Sequence, residues 1–167
     1  MNVTRMVDQL ILHEGYRMKP YLDTEGFLTV GVGYNLSARG VDFINRTIGT
    51  RFATPQEVRL SREQAVSVLK ADIARIEKAI PGLLPEYTAL DEVRQRVVVD
   101  MAFNLGRMRA LGFKKAIAAL KVRNWSACAK ELYASKWADQ VGDGPGQKYD
   151  RADRLADMIL TGNDYTK

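Results

Sequence analysis

From Ser61 to Ile80 the chain reads as one long helix. Val66, Leu69, Ile73, Ile76 and Ile80 recur at alternating spacings of three and four, which lines one face of a 3.6-residue period. Ser61 followed by Gln64 is a capping-box pattern at its start, and Pro81-Gly82 stops it. At about 1.5 Å per residue such a rod is roughly 30 Å long, enough to connect two lobes. The fold therefore has to be built on either side of it.

The two sides differ in character. Ahead of the rod, Val3, Met6, Val7, Leu10 and Ile11 follow Asn2, a good N-cap, and predict an amphipathic helix ending around His13-Glu14, with Gly15 as its stop. Tyr16–Leu22 carries Pro20, which disfavours a helix. A turn at Asp23-Thr24-Glu25-Gly26 leads into the β-branched run Phe27–Tyr34, so a small hairpin is expected. Gly31 and Gly33 read either as close-packed strand glycines or as positions over which a chain or ligand passes. A short helix is predicted near 41–48. Beyond the rod nearly everything is helical, over about 91–105, 113–122, 125–134 and 148–160, with Gly142-Asp143-Gly144-Pro145-Gly146 as a loop or lid. The fold class is α+β, mainly helical. At 167 residues the chain suffices for one domain of two small lobes, not two full domains.

Composition narrows the chemistry. His13 and Cys128 are the only residues of their types, which excludes an intramolecular disulfide and a Cys/His zinc centre. No metal or other cofactor is expected, although a carboxylate site for Mg²⁺ or Ca²⁺ is left open. No run approaches the ~20 apolar residues that span a bilayer. Asp8 and Gln9 interrupt the N-terminal apolar pattern, so no signal peptide is expected either. Cys128, Trp125 and Trp137 read as packing residues, and His13 as a helix-end surface residue.

The net charge of +5 is uneven. Residues 94–123 carry Arg94, Arg96, Arg107, Arg109, Lys114, Lys115, Lys121 and Arg123 against Asp100 alone, or +7, while the rest of the chain sums to −2. The stretch is either a solvated helical surface or a face held near a polyanion, nucleic acid or cell wall. No zinc-finger spacing, phosphate loop or aromatic single-strand platform accompanies it.

The candidate chemistry gathers ahead of the rod. Glu14 ends the first helix after Leu10, Ile11 and Leu12, where apolar neighbours would favour the neutral carboxyl that a general acid starts from. Asp23 sits nine residues on in a polar turn, and Thr29 on the returning strand. Two carboxyls in contrasting surroundings suit glycoside hydrolysis, one protonating the leaving oxygen and one assisting attack from the other face. In a chain with 20 acids such a pair is common, and a helix-end Glu with a turn Asp is the plainer reading.

The surrounding residues add to this. Glu14-Gly-Tyr-Arg17-Met-Lys-Pro-Tyr21-Leu-Asp23-Thr-Glu25-Gly-Phe-Leu-Thr29-Val-Gly-Val-Gly33 resembles the active-site segment of the phage lysozymes (endolysins) of glycoside hydrolase family 24, nearest the T-even type. It meets every fixed position of E-G-x-R-x-x-x-Y-x-D-[TS]-x-G-x-x-T-[IV]-G-[IV]-G. The likeness runs along the chain through Asp91–Arg94, Met101–Gly106, Leu111–Phe113, Asn124-Trp125, Ser135–Trp137, Arg151–Arg154 and Thr161-Gly162, and the Gly-rich stretch near 142–147 resembles a small insertion.

The resemblance implies a lysozyme-like, two-lobed single domain over 1–167. Its N-terminal lobe would span about 13–60, its interlobe helix about 61–80, and its helical C-terminal lobe about 81–167, packed with helix 3–13. It implies an endolysin that hydrolyses the β-1,4 bond between N-acetylmuramic acid and N-acetylglucosamine in peptidoglycan, by inversion in the family's manner, for host cell lysis. Glu14 would be the general acid, and Asp23 with Thr29 would activate water. Glu25, Gly33, Tyr34, Asn35, Phe103 and Asn104 match or approximate positions that line the sugar cleft. The enzyme would be a monomer, held in the host cytoplasm until a pore opens to the wall. The stretch 94–123 would contact the anionic envelope, and no nucleic-acid partner is expected. The alternative is a non-catalytic wall- or nucleic-acid-binding protein on a degenerate lysozyme fold.

Some positions depart from the family. Where it usually has His after the second glycine this chain has Tyr34, and a Tyr34–Asp72 hydrogen bond is expected in place of the family's ion pair. Asn35, Ala116, Glu131 and Lys136 replace other sugar-contacting residues.

Overall fold

The computed structural model describes residues 1–106, 110, 112–141 and 150–165. The fold is mainly helical with one small antiparallel sheet, as expected. The chain divides into two compact units, Val3–Arg75 on one side and Ile76 onward with Met1 and Asn2 on the other. The division falls within the long helix.

The first unit opens with α1 (Val3–Glu14), whose Met6, Val7 and Leu10 are buried as the spacing predicted. Gly15 ends it with φ +70° and donates its N–H to Ile11 O at 2.9 Å. Strands β1 (Arg17–Leu22), β2 (Leu28–Gly31) and β3 (Tyr34–Asn35) form a sheet of order β1-β2-β3. The third strand was not expected. Gly31 and Gly33 both have positive φ, +66° and +65°, which lets the chain reverse within two residues and pair Val30 with Tyr34. At Gly31 the packing reading also holds, since a Cβ there would lie 3.3 Å from Leu60 Cδ1.

One-turn α2 (Leu36–Arg39) is also absent from the sequence reading. Asn35 caps it, accepting the Ala38 N–H at 2.8 Å. The short helix expected near 41–48 is α3 (Asp42–Ile48). Val30, Tyr34, Leu36, Ile44, Val58, Leu60, Ala65 and Val68 make the core of this unit. The long rod is α4 (Arg62–Ala79), and its capping box is present. Ser61 N–H donates to Gln64 Oε1 at 2.9 Å, and Gln64 N–H to Ser61 Oγ at 3.2 Å.

The second unit contains α5 (Glu92–Leu105), α6 (Lys114–Lys121), α7 (Trp125–Tyr133), α8 (Lys136–Val141) and α9 (Arg151–Thr161). Helix α8 is an addition to the expected set, and the Gly142–Gly146 lid falls outside the described residues. Asp91, Asn124 and Asp150 cap α5, α7 and α9 through their side chains. Cys128 is buried, Trp137 is buried with its indole N–H donating to Asn104 Oδ1 at 2.9 Å, and Trp125 is half-buried, consistent with packing roles. A small apolar cavity of about 40 Å³ borders Val97, Met101, Ala116, Cys128 and Leu132.

The basic stretch needs correcting. Arg94 and Arg96 are internal rather than part of a positive face. The Arg94 guanidinium stacks 4.1 Å over Trp125, meets Asp91 Oδ2 at 2.5 Å, and donates through Nε to Ile159 O at 2.8 Å. It thus satisfies carbonyls at the end of α9, where a cation is favoured. Arg96, 1% exposed, pairs with Glu92 and Asp164. Asp100 is likewise internal and bonds Arg151 at 2.9 Å. Lys114, Lys115, Lys121 and Arg123 are exposed, Lys121 lying 3.4 Å from Glu86. Arg107 and Arg109 fall outside the described residues. Burying a guanidinium requires a paired acceptor, and long-range partners that charge counting does not see supply it.

Candidate active site

The turn after β1 is built around Asp23. Its N–H donates to Phe27 O at 3.0 Å, and Gly26, with φ +82°, donates to Asp23 O at 3.0 Å. Asp23 Oδ1 accepts the backbone N–H groups of Glu25 at 3.0 Å and Phe27 at 2.8 Å. An Asp that bonds its own turn in this way is a local device, which explains why Asp suits the position. Its second oxygen, Oδ2, is left for a partner across the hairpin. Thr29 Oγ1 lies 3.2 Å from it and 3.3 Å from Phe27 O, so one hydroxyl proton is shared between two acceptors. Thr29 is 4% exposed, and its β-branched side chain is stiff about χ1.

The hairpin is fastened at its base and its edge. Tyr16 donates its hydroxyl to Leu60 O at 2.7 Å, Leu60 N–H donates to Met18 O at 3.0 Å, and Leu28 N–H donates to Ser37 Oγ at 2.8 Å. Glu14 closes α1 and is half-buried. It and Asp23 both act electrostatically on Tyr21. Burial raises the Tyr21 phenol pKa, the Glu14 carboxylate raises it further, Arg17 opposes the shift, and Asp23 adds to it. Both carboxylates therefore lie within electrostatic reach of one side chain of the hairpin.

Within this unit the structure brings Asp23, Glu25 and Thr29 together in one turn-and-strand element. Glu25 joins through its backbone, with its side chain exposed. Gly33 shapes the β2–β3 reversal, and Asn35 is committed to capping α2. Phe103 and Asn104 belong to α5 of the second unit. Tyr34 is a correction. It is 2% exposed, stacked on Phe43 with ring centres 6.0 Å apart, and belongs to the core rather than to a ligand surface.

The expected Tyr34–Asp72 bond is also corrected. The Tyr34 hydroxyl donates to Gly40 O at 3.3 Å. Asp72, itself buried, pairs with Arg39, and Arg75 Nη2 lies 2.8 Å from its other oxygen. Arg39 in turn stacks 4.3 Å over the Tyr34 ring and 4.8 Å over Phe43. One of the two cations that meet Asp72 thus comes from α2, thirty-three positions away in sequence, and no local pattern announced it.

Among the described residues no group of three or more His, Cys, Asp or Glu side chains could hold a metal ion. No described helix is long and apolar enough to cross a membrane. The family model described as Phage lysozyme matches residues 12–153, most of the chain and all of the hairpin.

The chain belongs to the phage lysozyme family.

Other similarities accord with that membership. This phage lysozyme family member is 25% identical over 96% of its length to the Probable T4-type lysozyme 1 of Dictyostelium discoideum, covering 96% of that protein. It is 28% identical over 95% of its length to the Pre-baseplate central spike protein Gp5 of Enterobacteria phage T4, of which it spans 28%. It is 25% identical over 82% of its length to the Endolysin of Salmonella phage P22, covering 84% of it. A lysozyme-like function follows from this family, with peptidoglycan as the substrate the family implies.

Proposed function

We propose that this protein is a muramidase that cleaves the β-1,4 bond between N-acetylmuramic acid and N-acetylglucosamine in peptidoglycan, with inversion. The observation that carries the reading is the fixed Asp23 carboxylate, one oxygen tied to its own turn and the other to the Thr29 hydroxyl. In the reaction Glu14 gives its proton to the glycosidic oxygen as the C1–O bond breaks. A water attacks C1 from the opposite face while Asp23 takes its proton, and Thr29 orients that water and the carboxylate. The proton on Asp23 then returns through solvent to Glu14, and the cycle balances without a cofactor.

The deciding experiment is turbidity clearing of outer-membrane-permeabilised Gram-negative cells by wild type and Glu14→Gln. Clearing by wild type alone supports the reading. Equal clearing by both removes the acid role, and no clearing by wild type favours a wall-binding protein. NMR of the first product's anomeric proton tests inversion, which calls for carboxyls about 6.5–9.5 Å apart against about 5–5.5 Å for retention.

As an endolysin the enzyme would act late in infection, released from the host cytoplasm through a membrane pore. The similarity to a baseplate spike protein favours a second use of the same chemistry, local wall penetration at entry. Neighbouring genes separate the two, a pore-forming holin indicating lysis and baseplate genes indicating entry.

A further inference from the structure

Two residues of the hairpin have no part in this chemistry, Arg17 and Tyr21. Both lie on β1, and Tyr21 is paired directly with Thr29 in the β1–β2 ladder. Directly opposed residues of an antiparallel pair project from the same face, their Cβ atoms about 4.5–5.5 Å apart. Tyr21 therefore shares a sheet face with the residue whose hydroxyl meets Asp23.

Local distortion fixes the ring there. The register shifts between Arg17, paired with Gly31, and Tyr21, paired with Thr29, so β1 carries extra residues at a bulge. Pro20 lies within it and has no N–H to give a ladder. Across the bulge the Arg17 guanidinium sits 4.6 Å from the Tyr21 ring centre, a cation–π contact that restrains the side chain before any ligand arrives. Tyr21 is half-buried, so part of it stays open to solvent. Its raised phenol pKa, from burial first and then from Glu14, keeps the group an O–H donor through the neutral range.

We infer that Tyr21 is a substrate-contacting residue, its hydroxyl donating to a hydroxyl or acetamido oxygen of the glycan held against Asp23 and Thr29, and that Arg17 is the positioning residue for its ring. The inference rests on the muramidase reading. A restrained donor on the catalytic face is worth one hydrogen bond to the substrate and leaves the chemical step to the carboxylates.

The test compares Tyr21→Phe, Arg17→Met and Arg17→Lys with wild type and Glu14→Gln on a soluble peptidoglycan oligosaccharide, alongside pelleting with purified sacculi. Tyr21→Phe is expected to lower kcat/KM by about 3- to 10-fold through KM, with kcat and Tm unchanged, as loss of one neutral hydrogen bond implies. Arg17→Met follows in the same direction, and Arg17→Lys, which keeps the cation, recovers part of the loss. Adding Tyr21→Phe to Glu14→Gln weakens pelleting by a similar factor, a binding readout independent of turnover. Wild-type KM and pelleting in Tyr21→Phe, or a loss confined to kcat, overturns the inference while an inactive Glu14→Gln leaves the muramidase reading standing. Full activity in Glu14→Gln overturns that reading itself.

Discussion

Thr29 Oγ1 lies 3.2 Å from Asp23 Oδ2, while Asp23 Oδ1 accepts two backbone N–H groups of its own turn. The turn sets where the carboxylate is, and the strand sets which way its second oxygen is held. Thr29→Val keeps the buried shape and deletes that donor. It is expected to reduce clearing activity by about 10- to 100-fold, at or below the low end of what a positioned acid or base contributes, with about 1 kcal/mol lost in stability. Thr29→Ser should retain most activity. Kinetics and thermal denaturation of the two variants provide the check, and wild-type kcat in Thr29→Val would remove the hydroxyl from the mechanism.

Asp72 is buried between Arg39 and Arg75, and Arg39 bridges it to the Tyr34 ring. Asp72→Asn leaves two guanidinium groups without their counter-charge. Because both arginines reach partly into solvent, the expected cost is about 1–3 kcal/mol, below that of a fully buried pair. A double-mutant cycle with Arg39→Met, read by denaturant unfolding, should give a positive coupling energy. Tyr34→Phe should leave the stability profile between pH 5 and 8 unchanged, since burial raises the phenol from its ordinary 10.0.

Cys128 sits beside the apolar cavity, and burial pushes its thiol from an ordinary 9.0 up to about 11. The folded state holds that proton more tightly than the unfolded chain. The thiol's contribution is therefore complete below its ordinary 9.0 and is lost as pH rises towards 11. Stability measured from pH 8 to 11 should fall less steeply in Cys128→Ala than in wild type. A thiol reagent should label Cys128 only at the rate of unfolding, and fast labelling of native protein would contradict its burial.

Gly162 ends α9 with φ +71°, and a Cβ there would lie 2.6 Å from Arg94 Nη1. Gly162→Ala must strain the backbone and displace the guanidinium that serves the last carbonyls of α9 and stacks on Trp125. About 2 kcal/mol of destabilisation is expected, roughly the left-handed penalty plus part of a hydrogen bond. Thermal unfolding measures it, and a cost under about 0.5 kcal/mol would mean that Arg94 moves freely.

Local order was readable residue by residue. Spacings of three and four announced α1, α4 and α5, and Ser61-Gln64 and Pro81-Gly82 marked the ends of α4 within two positions, because helix periodicity and capping act over four residues. The hairpin motif was equally legible. Asp23, its turn and Thr29 lie within seven residues and make each other's contacts.

The longer helices and the Asp23–Thr29 hairpin could thus be read from the chain, because their partners are close in it, whereas the short α2 and α8 could not. Contacts between separate segments place Arg94 and Arg96 inside, put Tyr34 in the core and bring Arg39 to Asp72. Arg94, Arg96 and Asp72 each depend on a partner thirty or more positions away, Tyr34 is enclosed by a core that reaches Val68, and a charge or an aromatic ring carries no mark of which residue will desolvate it. The bulge that turns Arg17 onto Tyr21 lies between these cases, since Pro20 signals a break in the ladder but only the paired strand shows where the ring is held.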